Sequence, residues 1–144
     1  MNKLRIFSVF LMLSISGGCG AKTPSSIDLE NAVKAVNEAQ NRAMLSTASI
    51  NDLDKLFNMY TEYFVYVHKV YGGTYTRKEL YGNAAKYITT KHYKLTEGRY
   101  KILRILPGFG AAAVERLEVA SGKIHLSVFE FEGNEVSKII EYWE

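Results

Sequence analysis

The chain has 144 residues, 47% of them hydrophobic and 23% charged, with 11 glycines, 2 prolines and one cysteine. Those proportions describe an ordinary globular domain and exclude collagen-like, low-complexity and disulfide-scaffold classes. The formal charge is +3, but Lys3 and Arg5 lie in a segment that reads as a leader, and without them 16 basic residues face 15 acidic ones. So even a balance offers no concentrated basic surface to neutralise phosphates, and nucleic acid is not an expected partner.

Residues 1–18 have the three-part form of an export signal. Lys3 and Arg5 open it, Ile6 to Ile15 form an apolar run, and Ser16-Gly17-Gly18 close it with small residues. A helix needs about 20 apolar residues to span a bilayer, so this run predicts cleavage rather than a retained span. The single cysteine, Cys19, follows directly, and the segment resembles the lipobox of bacterial lipoproteins, with Ser16 where that pattern usually has Leu. The resemblance implies that Cys19 is acylated, palmitate included, and becomes the mature N-terminus. The protein is then exported and held on the cell membrane or outer membrane. Residues 19–27 read as a tether, and with no second cysteine no intrachain disulfide is available.

A single domain is expected over residues 28–144. Ser25 and Asp28 have capping-box spacing, and Leu29, Ala32, Val33, Val36, Ala39, Ala43 and Met44 recur with helical period, which predicts a first amphipathic helix. Asn51 or Asp52 is placed to cap a short second helix carrying Leu53, Leu56, Phe57 and Tyr60. Tyr63 to His68 is dense in aromatic and β-branched residues and predicts a strand, Gly72-Gly73 a reversal, and Thr74-Tyr75 a brief return. Thr76 and Glu79 form a second capping box, opening a helix that runs to about Thr89. Four strands follow, Arg99 to Leu106, Ala111 to Ala120, Lys123 to Glu132 and Val136 to Trp143, parted by Pro107-Gly108, Ser121-Gly122 and Gly133-Asn134.

Helices first and a meander last predict an α+β domain whose curved sheet is closed on one side by helices. This order, ending in Phe129-Glu130-Phe131-Glu132-Gly133-Asn134-Glu135-Val136 and Ile140-Glu141-Tyr142-Trp143, resembles the nuclear transport factor 2-like superfamily in its SnoaL-like branch. The resemblance implies a mainly antiparallel sheet wrapped around helices into a cone-shaped, cystatin-like fold. It also implies a cavity on the concave face and a homodimer on the other. Relatives include isomerases, dehydratases, hydrolases and binding modules, so fold alone does not choose a function.

Strand parity selects the side chains that could line such a cavity. His125, Ser127, Phe129 and Phe131 share one face of their strand, and Ile124, Leu126, Val128 and Glu130 the other. A two-residue turn at Ser121-Gly122 would pair Arg116 with Ser127 and Glu118 with His125. In the last hairpin a two-residue turn would set Tyr142 opposite His125. A bulged turn with left-handed Asn134, the form usual in relatives, would set Trp143 there instead and is the one expected. The expected ligand site is therefore Tyr66, Arg116, Glu118, His125, Ser127, Phe129 and Trp143.

His68, at a strand end where some family enzymes keep an acid or base, is the candidate catalytic residue, since imidazole exchanges protons near neutrality. The alternative is a histidine that only hydrogen-bonds. Glu118 with His125 is either an acid–base pair or a structural cross-strand pair. His92 reads as surface. No histidine pair has metal-site spacing, so neither a metal nor another cofactor is expected. Eight of the ten tyrosines fall between Tyr60 and Tyr93, which suits packing and interfaces or a pocket for a ring-containing ligand.

Three functions follow. The first is a lipid-tethered domain binding a small apolar or aromatic molecule, or a partner segment. The second is an isomerase or dehydratase using His68 as base, with Tyr66, Arg116 or Ser127 polarising a carbonyl. The third is a subunit of an envelope assembly. Ketosteroid-isomerase-like relatives keep a cavity Asp, an acidic donor on the third meander strand and a tyrosine on the first helix. Here His68, Ser127 and the tyrosine-free run Arg42 to Leu45 stand in those places, and a neutral serine cannot replace a protonated carboxylic acid. Binding is the preferred reading.

Overall fold

Three helices begin at three capping boxes, and these boxes set where the chain leaves extended structure. In the computed structural model, which describes residues 25–143, Ser25 caps α1 (Ser26–Ala43) and exchanges hydrogen bonds with Asp28. Thr76 caps α3 (Arg77–Thr89) in the same way with Glu79. The cap of α2 (Ile50–Phe57) is Ser49, not Asn51 or Asp52. Asp52 is its third-position partner, receiving the Ser49 backbone N–H and hydroxyl while the Ser49 hydroxyl accepts from the Asp52 N–H. Serine wins because its oxygen reaches the third-position N–H while the carboxylate three residues on reaches back, satisfying two otherwise orphaned donors. The leader, Cys19 and the tether up to residue 24 lie outside the described residues.

The strands are β1 (Tyr60–His68), β2 (Gly73–Thr76), β3 (Tyr100–Pro107), β4 (Ala111–Glu118), β5 (Ile124–Glu132) and β6 (Glu135–Tyr142). They form one sheet in the order β2-β1-β6-β5-β4-β3, antiparallel except where β1 lies parallel to β6. A parallel pair cannot be joined by a tight turn, and here the intervening chain supplies α3 and four strands. The helices cover the concave face, and Leu29, Val33, Val36, Leu53, Phe57, Phe64, Val114, Phe129 and Ile139 form the core between the layers.

The expected register of the first hairpin needs correction, whereas the last hairpin keeps its expected register, Leu126↔Tyr142 leading on to Trp143 against His125, but reaches it by a different turn. Arg116 stands opposite His125 and Val114 opposite Ser127. The β4–β5 connection is a four-residue loop, closed by the Glu118 N–H donating to the Lys123 carbonyl. The Ser121 hydroxyl donates to the Glu118 carboxylate inside the loop, and Gly122 supplies a left-handed residue at φ +69°. Between β5 and β6 the turn is the two-residue Gly133-Asn134, with Glu132 opposite Glu135. The positive φ, +60°, falls on Gly133 rather than Asn134, and a positive φ at the first central residue is the demand of a type II′ turn. The extra residue sits later: the register slips by one between Phe131↔Val136 and Glu130↔Lys138, leaving Ser137 as a bulge whose hydroxyl donates to the Glu130 carbonyl.

Candidate functional site

A cavity of about 190 Å³ lies between the three helices and the concave sheet face. Its walls come from α2 (Leu53, Leu56, Phe57), α3 (Leu80, Ala84) and the sheet (Phe64, Tyr66, Ile139), and its polar end from Gln40, Tyr60, Arg99, Tyr100, Arg116 and Glu141. Alternation along the strands places the polar group: Glu141 is two residues from Ile139 on β6, and Arg116 two from Val114 on β4, all on the concave face.

Arg116 organises this end. It is 1% exposed; its Nη1 donates to Gln40 Oε1 at 2.7 Å, and its Nη2 to Ser127 Oγ at 3.0 Å and to Glu141 Oε1 at 2.5 Å. The Tyr100 ring lies 4.1 Å from the guanidinium and the Phe129 ring 5.4 Å, a desolvated arrangement that favours the planar cation. Gln40 passes the network on, its Nε2 donating to the Tyr60 hydroxyl at 3.0 Å. Two atoms of the central pair stay unmatched: Arg116 Nε and Glu141 Oε2 are buried without a hydrogen-bond partner among the described residues.

The tyrosines around this network are neutral. Burial pushes the Tyr60 and Tyr66 phenols far above their ordinary value. It raises Tyr100 to about 12, with Arg99 and Arg116 opposing the rise and Glu141 adding to it. The cavity therefore presents phenol hydroxyls and no phenolate base.

Of the residues the sequence singled out, Tyr66 and Arg116 line the cavity. Ser127 and Phe129 are fully buried and support Arg116 from the sheet. His125 and Trp143 share the concave face with them, rings stacked at 4.2 Å and 5°. The Tyr100 ring stands edge-on to His125 while covering Arg116, so Tyr100 and not His125 meets the cavity. Glu118 turns to Arg99, whose Nε donates to Glu118 Oε1 at 2.7 Å, while its other oxygen is 4.0 Å from His125 Nε2. Burial acts to raise the Glu118 carboxyl, but hydrogen bonds from Ser121 and Arg99 outweigh it and hold the group below its ordinary value. Burial likewise lowers His125, against the pull of Glu118.

His68 is buried at the end of β1. Its Nδ1 accepts the Tyr71 backbone N–H at 3.2 Å, its ring stacks on Tyr71 at 4.5 Å, and Trp143 meets it edge-on at 4.7 Å. It is not among the cavity-lining side chains, so the structure does not bring His68 together with Arg116. The tyrosine-rich stretch divides: Tyr60, Tyr66 and Tyr93 line the cavity, whereas Tyr63, Tyr71, Tyr75 and Tyr87 are exposed.

Sequence reasoning missed Gln40, Arg99, Tyr100 and Glu141, and had Tyr60 only as one of the tyrosine cluster. Two of the missed residues left a signal. Gln40 is a polar residue seven positions beyond Val33 on the apolar stripe of α1, and Glu141 shares Trp143's parity on β6.

No protein-family model and no curated protein matches the chain. Solved structures do. A SnoaL-like protein from Burkholderia thailandensis E264 is similar with a TM-score of 0.63 at 14% identity, over 85% of this chain and 99% of its own. For an LEH-like epoxide hydrolase from M. tuberculosis the TM-score is 0.60 at 19% identity, over 84% and 86%. A nuclear transport factor 2-like protein from Burkholderia xenovorans LB400 gives 0.57 at 16%, over 81% and 82%. At these identities the likeness is one of fold, the nuclear transport factor 2-like α+β cone of three helices and a curved six-stranded sheet.

Proposed function

We propose that the protein binds a small ring-containing molecule in the cone cavity without transforming it. The observation that carries this reading is the cavity itself: aromatic and aliphatic walls around a polar end whose side chains are already committed to one another. Such a site orients a ligand through a few fixed polar groups and holds it by apolar burial. An apolar cavity of about 150 Å³ accommodates benzene, so a volume near 190 Å³ suits one ring with a small substituent. No feature of His68 favours a base, because its Nδ1 is engaged by the Tyr71 N–H and the ring lies outside the cavity wall.

The decisive experiment is a nuclear magnetic resonance titration with single-ring compounds. Saturable shifts on Tyr66, Leu80 and Ile139 support the reading, and Ala84→Leu, which fills the cavity from α3, should weaken binding at least tenfold while leaving the fold intact. Shifts that do not saturate, or that ignore Ala84→Leu, would refute it.

The same proposal places the domain outside the cytoplasm, tethered through acylated Cys19 and paired with a second copy through the convex sheet face. Cys19→Ala should abolish lipid labelling and release the protein from the membrane fraction; unchanged labelling would overturn the anchor. Several acyl chains are part of this claim, since a single chain anchors only marginally.

A further inference from the structure

Resting on that binding reading, we infer that the ligand carries a neutral hydrogen-bond donor, a hydroxyl on its ring, and that Glu141 Oε2 is the atom that receives it. Glu141 is 2% exposed and lines the cavity. Its Oε1 is taken by Arg116, and among the described residues its Oε2 has no donor. A buried carboxylate oxygen without a donor is costly, and a donor that reaches it gains more than one meeting a neutral acceptor.

The charges around it select the class of donor. An anionic head group would meet Glu141 and find the fork of Arg116 occupied: Nη1 is spent on Gln40 and Nη2 on Ser127 and Glu141. The second guanidinium of the cavity, Arg99, is paired with Glu118. A cationic head group would sit between those two guanidiniums, with Glu141 already neutralising one of them. A hydroxyl escapes both penalties. It donates one proton and also offers lone pairs, which is the complement of the two unmatched atoms of the pair, Oε2 as acceptor and Arg116 Nε as donor.

The test compares four probes of one ring size on the wild-type protein by the same titration: phenol, toluene, benzoate and benzylammonium. Toluene is the more apolar partner of phenol at nearly the same shape, so apolar burial alone ranks toluene first. The inference requires phenol to bind about tenfold more tightly than toluene, with benzoate and benzylammonium weaker than both. Glu141→Gln should then bring phenol and toluene level; if that variant does not fold, the wild-type ranking decides. Toluene equal to or tighter than phenol would mean that the unmatched atoms are served by a water only. That result, or a preference for benzoate or benzylammonium, overturns the head-group inference while the cavity reading stands. Binding of none of the four overturns both.

Discussion

Arg116 and Glu141 form a buried ion pair in which each charge depends on the other. Taking either charge from water costs several kcal/mol, which the partner, the Gln40 and Ser127 hydrogen bonds and the covering rings repay. Arg116→Met should therefore cost about 3–5 kcal/mol in denaturant unfolding, because Glu141 is left buried and unpaired. The double variant Arg116→Met/Glu141→Leu should recover much of that loss, and a double variant less stable than the single one would contradict this account. His125 offers a second test at this scale. Burial disfavours its protonated form in the folded protein, against Glu118 and Glu141 and with Arg116 and Arg99, whereas the unfolded chain takes up the proton near the ordinary value of about 6.5. Its contribution to stability is thus fully present above about pH 6.5 and is lost as the pH falls below it. His125→Phe keeps a ring on Trp143 and removes the titration, so its stability should fall less steeply than that of the wild type between pH 7 and 5.

At the scale of elements, the Asn41 amide clasps α1 to the start of β3. Asn41 accepts the Tyr100 N–H and donates to the Tyr100 carbonyl, both at 2.8 Å, and Asn37 adds a second donor to that carbonyl. The approach is close enough that a Cβ on Gly98 would stand 2.9 Å from the Asn41 amide nitrogen. Asn41→Ala should lower stability by about 1–3 kcal/mol, measured by chemical denaturation, because it strands the Tyr100 N–H at the start of β3 and leaves its carbonyl to Asn37 alone. Such long-range clasps leave no local trace in a sequence, whereas the Ser25/Asp28 and Thr76/Glu79 boxes act within one turn and could be read directly. Hairpins lie between these cases. The register of β4 on β5 was expected two residues away from where it falls, yet a slip of two preserves parity, so Arg116, His125 and Ser127 still share the concave face. What parity could not supply was depth along the cone. It grouped Trp143 and His125 with Arg116 without showing that Tyr100, from the neighbouring edge strand, stands between them and the cavity.

Over the whole molecule the two faces of the sheet have different fates. The concave side is enclosed, while on the convex side Ile124 is 62% exposed, Leu126 41% and Tyr142 43%, with Val128 and Ile140 half-buried between them. Leu126 pairs with Tyr142 and Val128 with Ile140, so the strip is continuous across two central strands. A second copy would cover it. Val128→Glu should therefore lower the association state in sedimentation, and a wild-type protein that is a monomer at every accessible concentration would contradict the pairing. The parallel seam between β1 and β6 bears on the order in which the molecule can be made. Tyr60 meets Val136 and His68 meets Glu141, partners more than 70 residues apart, so β1 has only the four-residue β2 beside it while the later strands are being synthesised. Closing so long a loop is slow compared with forming a hairpin. The sheet therefore cannot be completed until the residues of β6 have emerged.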